Sequence, residues 1–280
     1  RDPEMSRGLG DVYKRQLIIA VVFVISELVC VVCVPERPVA CDEKPGKISD
    51  MFKALFKNDQ AMTVVVSIIL VYTSLNICGN LVLYFFRFDV GNEGAYSIFA
   101  AVAFAAQVLV MMVIPLLRKR FSKSQLFISG FIIQIAGFAV ILIMAFAKLY
   151  TPQSWYILCL PGILIYLGYG MLNVIMTIFL SDSVDYGEVM NGTREESVIF
   201  SMQTFTVKLA SGVAVFLAGL VVDWIHLDTA AAVQTQDTLD ALRMWMTIPS
   251  VILLIVGIFV FKRFYKLDDT RMEEIKSKLN

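Results

Sequence analysis

Seven long apolar blocks constrain this chain more than any other feature of its sequence. Each block is about 18 to 26 residues long, the length that an α-helix needs to cross roughly 30 Å of hydrocarbon. The apolar residues run on through each block and do not follow the spacing of a helix with one buried face. The blocks predict membrane-spanning helices over 17–34, 61–86, 95–117, 125–147, 155–180, 197–222 and 242–261.

The composition agrees with a membrane protein and excludes several other classes. Hydrophobic residues make up 58% of the chain and charged residues 17%, whereas a soluble domain carries about a quarter charged residues. The formal net charge is zero, so the chain lacks the basic excess that nucleic-acid binding requires. With His226 as its one histidine, it is not expected to hold a histidine-rich metal site, and no cofactor is expected.

Lysines and arginines predict the orientation, because they accumulate in cytoplasmic loops. Sixteen of them fall in one set of loops, 35–60, 118–124, 181–196 and 262–280. Two, Arg87 and Lys148, fall in the opposite set, 87–94, 148–154 and 223–241. We therefore expect a multi-pass protein of the cell inner or plasma membrane, with its C-terminus in the cytoplasm.

The order of spans and loops predicts an all-α membrane protein with one six-helix unit. The span 17–34 precedes a long cytoplasmic loop over 35–60, and six spans follow over 61–261 with a tail over 262–280. Six spans after a long central loop are typical of the second half of a two-halved transporter. The first span is then the last helix of a preceding half. Residues 1–16 are polar and resemble a translated cloning adaptor rather than native sequence.

Lys208 is the strongest functional signal, because it lies close to the midpoint of the span 197–222. A lysine at this depth costs about 2.5–3.5 kcal/mol to insert. At about 100° per residue, it shares one face of the helix with Ser197, Ser201, Thr204 and Ser211. Such a stripe indicates a polar pathway, since lipid cannot satisfy it; an ion pair with a carboxylate on a neighbouring helix is the alternative.

The loop before that span contains Asp182, Asp185 and Glu188 at three-residue spacing, which places them on one face if they are helical. They can pair with Arg194 and with Arg118, Lys119 and Arg120 of the loop at 118–124. A salt-bridged cytoplasmic gate is the interpretation that we favour. A solvated acidic face is the alternative, and a metal site is not expected.

Asparagines in two other spans are weaker candidates. Asn76 lies on one helical face with Asn80, and Asn173 follows a glycine-containing stretch of the span 155–180. Contact with a substrate and packing between helices explain these amides about equally well.

Several motifs together resemble the glycoside–pentoside–hexuronide:cation symporters, the melibiose-permease-like branch of the major facilitator superfamily. The resemblance covers residues 17–280, about the second half of such a carrier. It is carried by Asp182-x-x-Asp185-Tyr-Gly-Glu188, Arg194-Glu195, Phe200-Ser-x-Gln-Thr-Phe-x-x-Lys208, Leu117-Arg-Lys-Arg-Phe-Ser-Lys123 and Phe264-Tyr-Lys-Leu-Asp-Asp269.

The resemblance implies cation-coupled sugar or glycoside symport by a major-facilitator-type C-terminal bundle. The side chains that it places at the sugar and cation cavity are Lys208, Gln203, Thr204 and Val207, with Asn76 in the seventh helix of the whole carrier. The cytoplasmic lock that it implies contains Asp182, Asp185 and Arg194 with Arg118 or Arg120. The resemblance also implies that the ligands of the coupling cation, sodium or a proton, and the main sugar-binding carboxylates belong to the N-terminal half, which we expect this chain to lack. Asn173 stands where melibiose permeases have a tryptophan, so the resemblance leaves the sugar open.

Other classes of protein also have seven spans. A receptor or retinal protein can hold a buried lysine, although here the lysine lies on the sixth span rather than the last. A membrane-embedded enzyme needs a convergent set of acids, bases or metal ligands, and the sequence offers one lysine at depth. A major facilitator carrier for a solute other than a sugar is a third alternative.

Overall fold

The computed structural model describes residues 3–33, 56–192, 196–231 and 233–279, and within them the seven predicted spans are confirmed as helices. Each is long and apolar enough to cross a membrane. The chain is thus an all-α membrane protein. The central loop lies largely outside the described residues, as does Arg194.

The first of these helices, α1 (Pro3–Cys33), forms a compact unit that is separate from the rest. Its apolar, membrane-length part is Gln16–Cys33. Residues 3–16, which the sequence analysis set apart as adaptor-like, are helical and continuous with that part.

The described part of the second unit is a bundle of six long helices followed by a short one. The long helices are α2 (Asp59–Tyr84), α3 (Ala95–Leu117), α4 (Lys123–Phe146), α5 (Cys159–Asn191), α6 (Glu196–Trp224) and α7 (Gln236–Phe264). The short helix is α8 (Asp269–Leu279). Helix α2 packs against α6 and α7, α5 packs against α3 and α4, and α4 also contacts α7.

Polar side chains set where several of these helices begin. Asn58 caps α2 by accepting a hydrogen bond from the Ala61 amide at 2.9 Å. Ser122 and Gln125 form a capping box at the start of α4, each side chain bonded to the other residue's amide. Each cap satisfies an amide that has no partner inside its helix.

Helices α4 and α5 approach each other closely, and this approach depends on glycine. A Cβ atom at Gly168 would lie 2.6 Å from the Gln134 nitrogen, and one at Gly137 would lie 2.7 Å from the Ile165 nitrogen. Close approach of backbones at small residues is the usual way in which membrane helices pack, because lipid tails give no hydrophobic drive to association.

Two helices extend well beyond the spans that the sequence predicts. The span ending at 180 continues as α5 to Asn191, where Gly192 ends it with a φ of +73°. The predicted loop over 181–196 is therefore helical over most of its length. Helix α7 begins at Gln236, six residues before the predicted start. Hydropathy marks the depth of the hydrocarbon, whereas a helix continues beyond it until a cap ends it.

Candidate functional site

The polar stripe of α6 lies on the side of the helix that faces away from the bundle. Lys208 is exposed, as are Ser197, Ser201 and Thr204, while Gln203 and Val207 are half-buried. The buried side chains of α6 are Ile199, Met202, Thr206, Ala210, Ala214, Ala218 and Val221. Thr206 and Ala210 lie about 160° around the helix from Lys208, so the lysine points away from the packed face.

The alternative of an ion pair for Lys208 has no support in the described part of the chain. No carboxylate of those residues lies within salt-bridge distance of its amine. The stripe is therefore an open polar surface at membrane depth.

The amides predicted for the cavity belong to a second polar group that joins α2 and α5. Asn173 donates a hydrogen bond to the Tyr72 hydroxyl at 2.7 Å, and Asn76 donates one to the Tyr72 carbonyl oxygen at 2.7 Å. The ring of Tyr169 meets that of Tyr72 edge to face, with centroids 5.5 Å apart. Asn76 keeps its side-chain oxygen as an acceptor, and Asn173 is held in place from the neighbouring helix.

The tyrosines of this group were not singled out from the sequence. Helix α5 carries Tyr166, Tyr169 and Asn173 at helical spacing. A tyrosine within an apolar run counts as hydrophobic, so the hydropathy of the run does not reveal its hydroxyl group. The spacing of aromatic hydroxyls relative to Asn173 is the signal that could have found them.

The acidic residues of α5 meet basic residues at one end of the bundle, the end that carries α8, which we call the tail end. Lys123 forms an ion pair with Asp182, and their side chains are 8% and 6% exposed. Asp269 lies 3.4 Å from both the Lys123 amine and the Arg118 guanidinium. Asp185 and Glu188 are half-buried on the same helix, and Arg120 is exposed.

This pairing differs from the predicted one. The sequence analysis offered Arg118, Lys119, Arg120 and Arg194 as partners of the acidic residues, whereas the structure pairs Asp182 with Lys123 and pairs Arg118 with Asp269 of the tail. The reason is position: Lys123 is the first residue of α4, which packs along α5, whereas Arg118 follows the last residue of α3. The pairing with Arg194 lies outside the described residues.

An aromatic cluster lies beneath the charges of the tail end. The ring of Tyr265 packs against Phe179 and Phe261, with centroids 4.5 and 4.7 Å apart. Burial raises the pKa of the Tyr265 phenol well above its ordinary value, and the carboxylates of Asp182 and Asp269 add to this. The phenol therefore stays neutral near these carboxylates.

A second charged cluster lies at the opposite end of the bundle, which we call the far end. The Arg243 guanidinium donates two hydrogen bonds to the Asp89 carboxylate, at 2.8 and 2.5 Å, and one to Asp240 at 2.7 Å. The Tyr150 hydroxyl donates to Asp89 at 2.7 Å. The side chains of Arg243 and Asp89 are 3% and 4% exposed. The carboxylate thus holds the π-helical turn Phe85–Asp89, which directly follows α2, against α7.

Sequence reasoning missed the far-end cluster. Asp89 lies in the predicted loop over 87–94, and Arg243 lies just inside the predicted span over 242–261. The two residues are 154 positions apart, so no local pattern connects them. Within this cluster, burial and the adjacent Asp89 raise the pKa of the Tyr150 phenol. The phenol therefore remains a hydrogen-bond donor.

Comparison with known proteins gives a family match over most of the chain. Residues 15–269 match the model of a family described as MFS/sugar transport protein. Among similar curated proteins, an uncharacterized symporter of Bacillus subtilis (strain 168), YjmB, is 25% identical over 83% of this chain and 49% of its own length. The raffinose carrier protein of Pediococcus pentosaceus is 23% identical over 83% of this chain and 35% of its own length. The isoprimeverose transporter of Lactiplantibacillus pentosus is 24% identical over 90% of this chain and 51% of its own length. The chain thus spans about half, or less, of the length of these relatives.

Proposed function

This chain belongs to the MFS/sugar transport protein family, and we propose that it forms part of a carrier that moves a sugar or glycoside together with a cation. Membership in a family of carriers argues against the receptor, retinal-protein and enzyme alternatives. Relatives named as raffinose and isoprimeverose carriers favour a sugar over another solute. The coupling cation is sodium or a proton.

One observation carries this proposal, the exposed polar stripe centred on Lys208. Lys208 is the thirteenth residue of α6, about 18 Å from its first residue at 1.5 Å per residue. An ammonium group cannot be left in hydrocarbon at that depth without a partner or water. The stripe must therefore face water or polar protein, which is what a transport pathway provides.

The proposed cavity combines the stripe with the two amides. Lys208, Gln203, Thr204 and Val207 line it from α6, and Asn76 and Asn173 contribute from α2 and α5. Hydroxyl, amide and ammonium groups are suitable partners for the hydroxyls of a sugar. The opposite wall of the cavity and the cation ligands come from an N-terminal half, and the two halves rock about the midplane site.

The tail end is the proposed cytoplasmic gate. The positive-inside rule favours a cytoplasmic location for it. Its charged residues include the predicted Asp182, Asp185, Glu188, Arg118 and Arg120, and we propose that Arg194 belongs to the same gate. The ion pairs of Lys123 and Asp269 support this proposal, because charges that can exchange partners suit a closure that must open in every cycle.

Uptake by a full-length carrier that contains this chain tests the proposal. We expect cation-driven sugar uptake into membrane vesicles, lowered about tenfold or more by Lys208→Ala, since each 1.4 kcal/mol of lost interaction is a factor of ten. Lys262→Ala is the matched control, because Lys262 is exposed near the end of α7. Uptake that is unchanged in Lys208→Ala would remove the assigned role of the lysine.

A further inference from the structure

An apolar groove runs between α6 and α7 on the surface of the bundle. Two adjoining cavities of about 380 and 570 Å³ share Ile77, Leu217, Trp245 and Pro249 among their lining residues. Ile77 of α2 is buried, and it forms the floor. The groove exists because α6 and α7 both pack on α2 but have little contact with each other.

The groove lies on a different side of α6 from the polar stripe. Leu217, Leu220 and Trp224 line it, and at about 100° per residue they lie roughly 120–180° around the helix from Lys208. A protein surface that covers only the Lys208 face of α6 leaves these side chains uncovered. The groove therefore opens toward the hydrocarbon of the bilayer.

A pair of tryptophans marks the depth of the groove mouth. The rings of Trp224 and Trp245 lie 5.5 Å apart, and the two residues are 71% and 36% exposed. Exposed tryptophans of membrane helices concentrate where the hydrocarbon meets the headgroups. The apolar groove thus extends inward from this level, toward Ile252 and Leu253 of α7.

Asp223 supplies the chemistry at the mouth. It precedes Trp224 directly, it is exposed, and it is the one charged side chain among the described residues that line the two cavities. An acyl chain gains little by moving from hydrocarbon into an apolar groove, apart from packing contacts. The group at the mouth therefore decides which lipid is favoured, and a carboxylate favours a cationic headgroup.

We propose that this groove is a binding site for a phospholipid with a primary-amine headgroup, of the phosphatidylethanolamine class. One acyl chain lies between α6 and α7 over Ile77, and the ammonium group pairs with Asp223. A primary ammonium donates hydrogen bonds to a carboxylate, whereas the methylated amine of phosphatidylcholine has no N–H to donate. The site prefers the ethanolamine lipid for this reason.

The three tryptophans of the chain provide the test. The purified chain carries Trp155→Phe, so that its tryptophan fluorescence comes from Trp224 and Trp245. It is placed in phosphatidylcholine nanodiscs with one chain per disc. A minor share of the lipid, either phosphatidylethanolamine or phosphatidylcholine, is brominated in its acyl chains. The measured quantity is the quenching of the tryptophan fluorescence by this label. We expect the ethanolamine label to be enriched beside the tryptophans by roughly twofold to fivefold, the range for one exposed ion pair.

Three variants separate the site from general lipid contact. Asp223→Asn should abolish the preference, and Asp237→Asn, an exposed carboxylate at the same end of the bundle, should keep it. Leu217→Phe fills the groove and should remove the excess quenching although Asp223 is intact. Equal quenching by both lipids, or a preference that survives Asp223→Asn or Leu217→Phe, overturns the proposal. Sugar uptake is not measured here, so either proposal can fail without the other.

Discussion

The two ends of the bundle carry charged clusters of different construction. At the far end, Arg243 and Asp89 are almost fully buried and share two hydrogen bonds, with Tyr150 as a third partner. At the tail end, Lys123 pairs with the buried Asp182 and with the partly exposed Asp269, and Arg118 also pairs with Asp269. A guanidinium in fork geometry is rigid, whereas an ammonium group accepts several arrangements.

The difference indicates which end is built to move. The far-end pair fixes α2 to α7 inside one bundle, and breaking it would leave a buried charge without a partner. The tail-end charges can exchange partners at little cost, because Asp269 is 39% exposed and water can replace either of its contacts. We therefore expect the far end to act as a fixed clamp and the tail end as the part that rearranges.

The largest expected effect comes from Arg243→Met at the far end. Removing one partner of a buried ion pair costs about 3–5 kcal/mol, because the other charge is left uncompensated. The free energy of unfolding is measured by denaturant titration in detergent. Arg87→Met is the matched control, since the pair of Arg87 with Glu93 at 3.7 Å is exposed and contributes about 0–1 kcal/mol. Equal losses in the two variants would contradict the clamp.

An intermediate effect is expected for Asp182→Asn at the tail end. The buried Lys123 then loses its closer carboxylate but keeps Asp269 at 3.4 Å, so we expect a loss of about 1–3 kcal/mol in the same titration. A loss as large as that of Arg243→Met would show that the tail end does not exchange partners. The double variant with Lys123→Met separates the pair energy from the cost of each single change.

The smallest effect is expected for Asp269→Asn. This carboxylate is partly exposed, so its pairs contribute about 1 kcal/mol or less, and added salt should reduce even that. The measurement is the free energy of unfolding at low and high salt, for this variant and the parent chain. A loss of stability that does not depend on salt would contradict the exposed character of the tail-end pairs.

The helices could be predicted from the sequence, whereas the contacts between side chains of different helices could not. Each span satisfies its backbone bonds locally, so its length and hydropathy predict it. The pairs Asp89–Arg243 and Lys123–Asp182 depend on which helices lie side by side, which hydropathy does not encode. The stripe around Lys208 was predictable because one helix carries all of it. The bond between Asn173 and Tyr72 was not, because it crosses from α5 to α2.

The central claim is that the Lys208 stripe faces a water-filled pathway, and thiol labelling tests it most directly. In a full-length carrier with its native cysteines replaced, a water-soluble thiol reagent is applied to Thr204→Cys on the stripe and to Leu217→Cys on the groove side of α6. We predict that Thr204→Cys reacts quickly and is protected by the transported sugar, whereas Leu217→Cys, which faces hydrocarbon, does not react. Equal reactivity at both positions, or no reaction at Thr204→Cys, would contradict the claim.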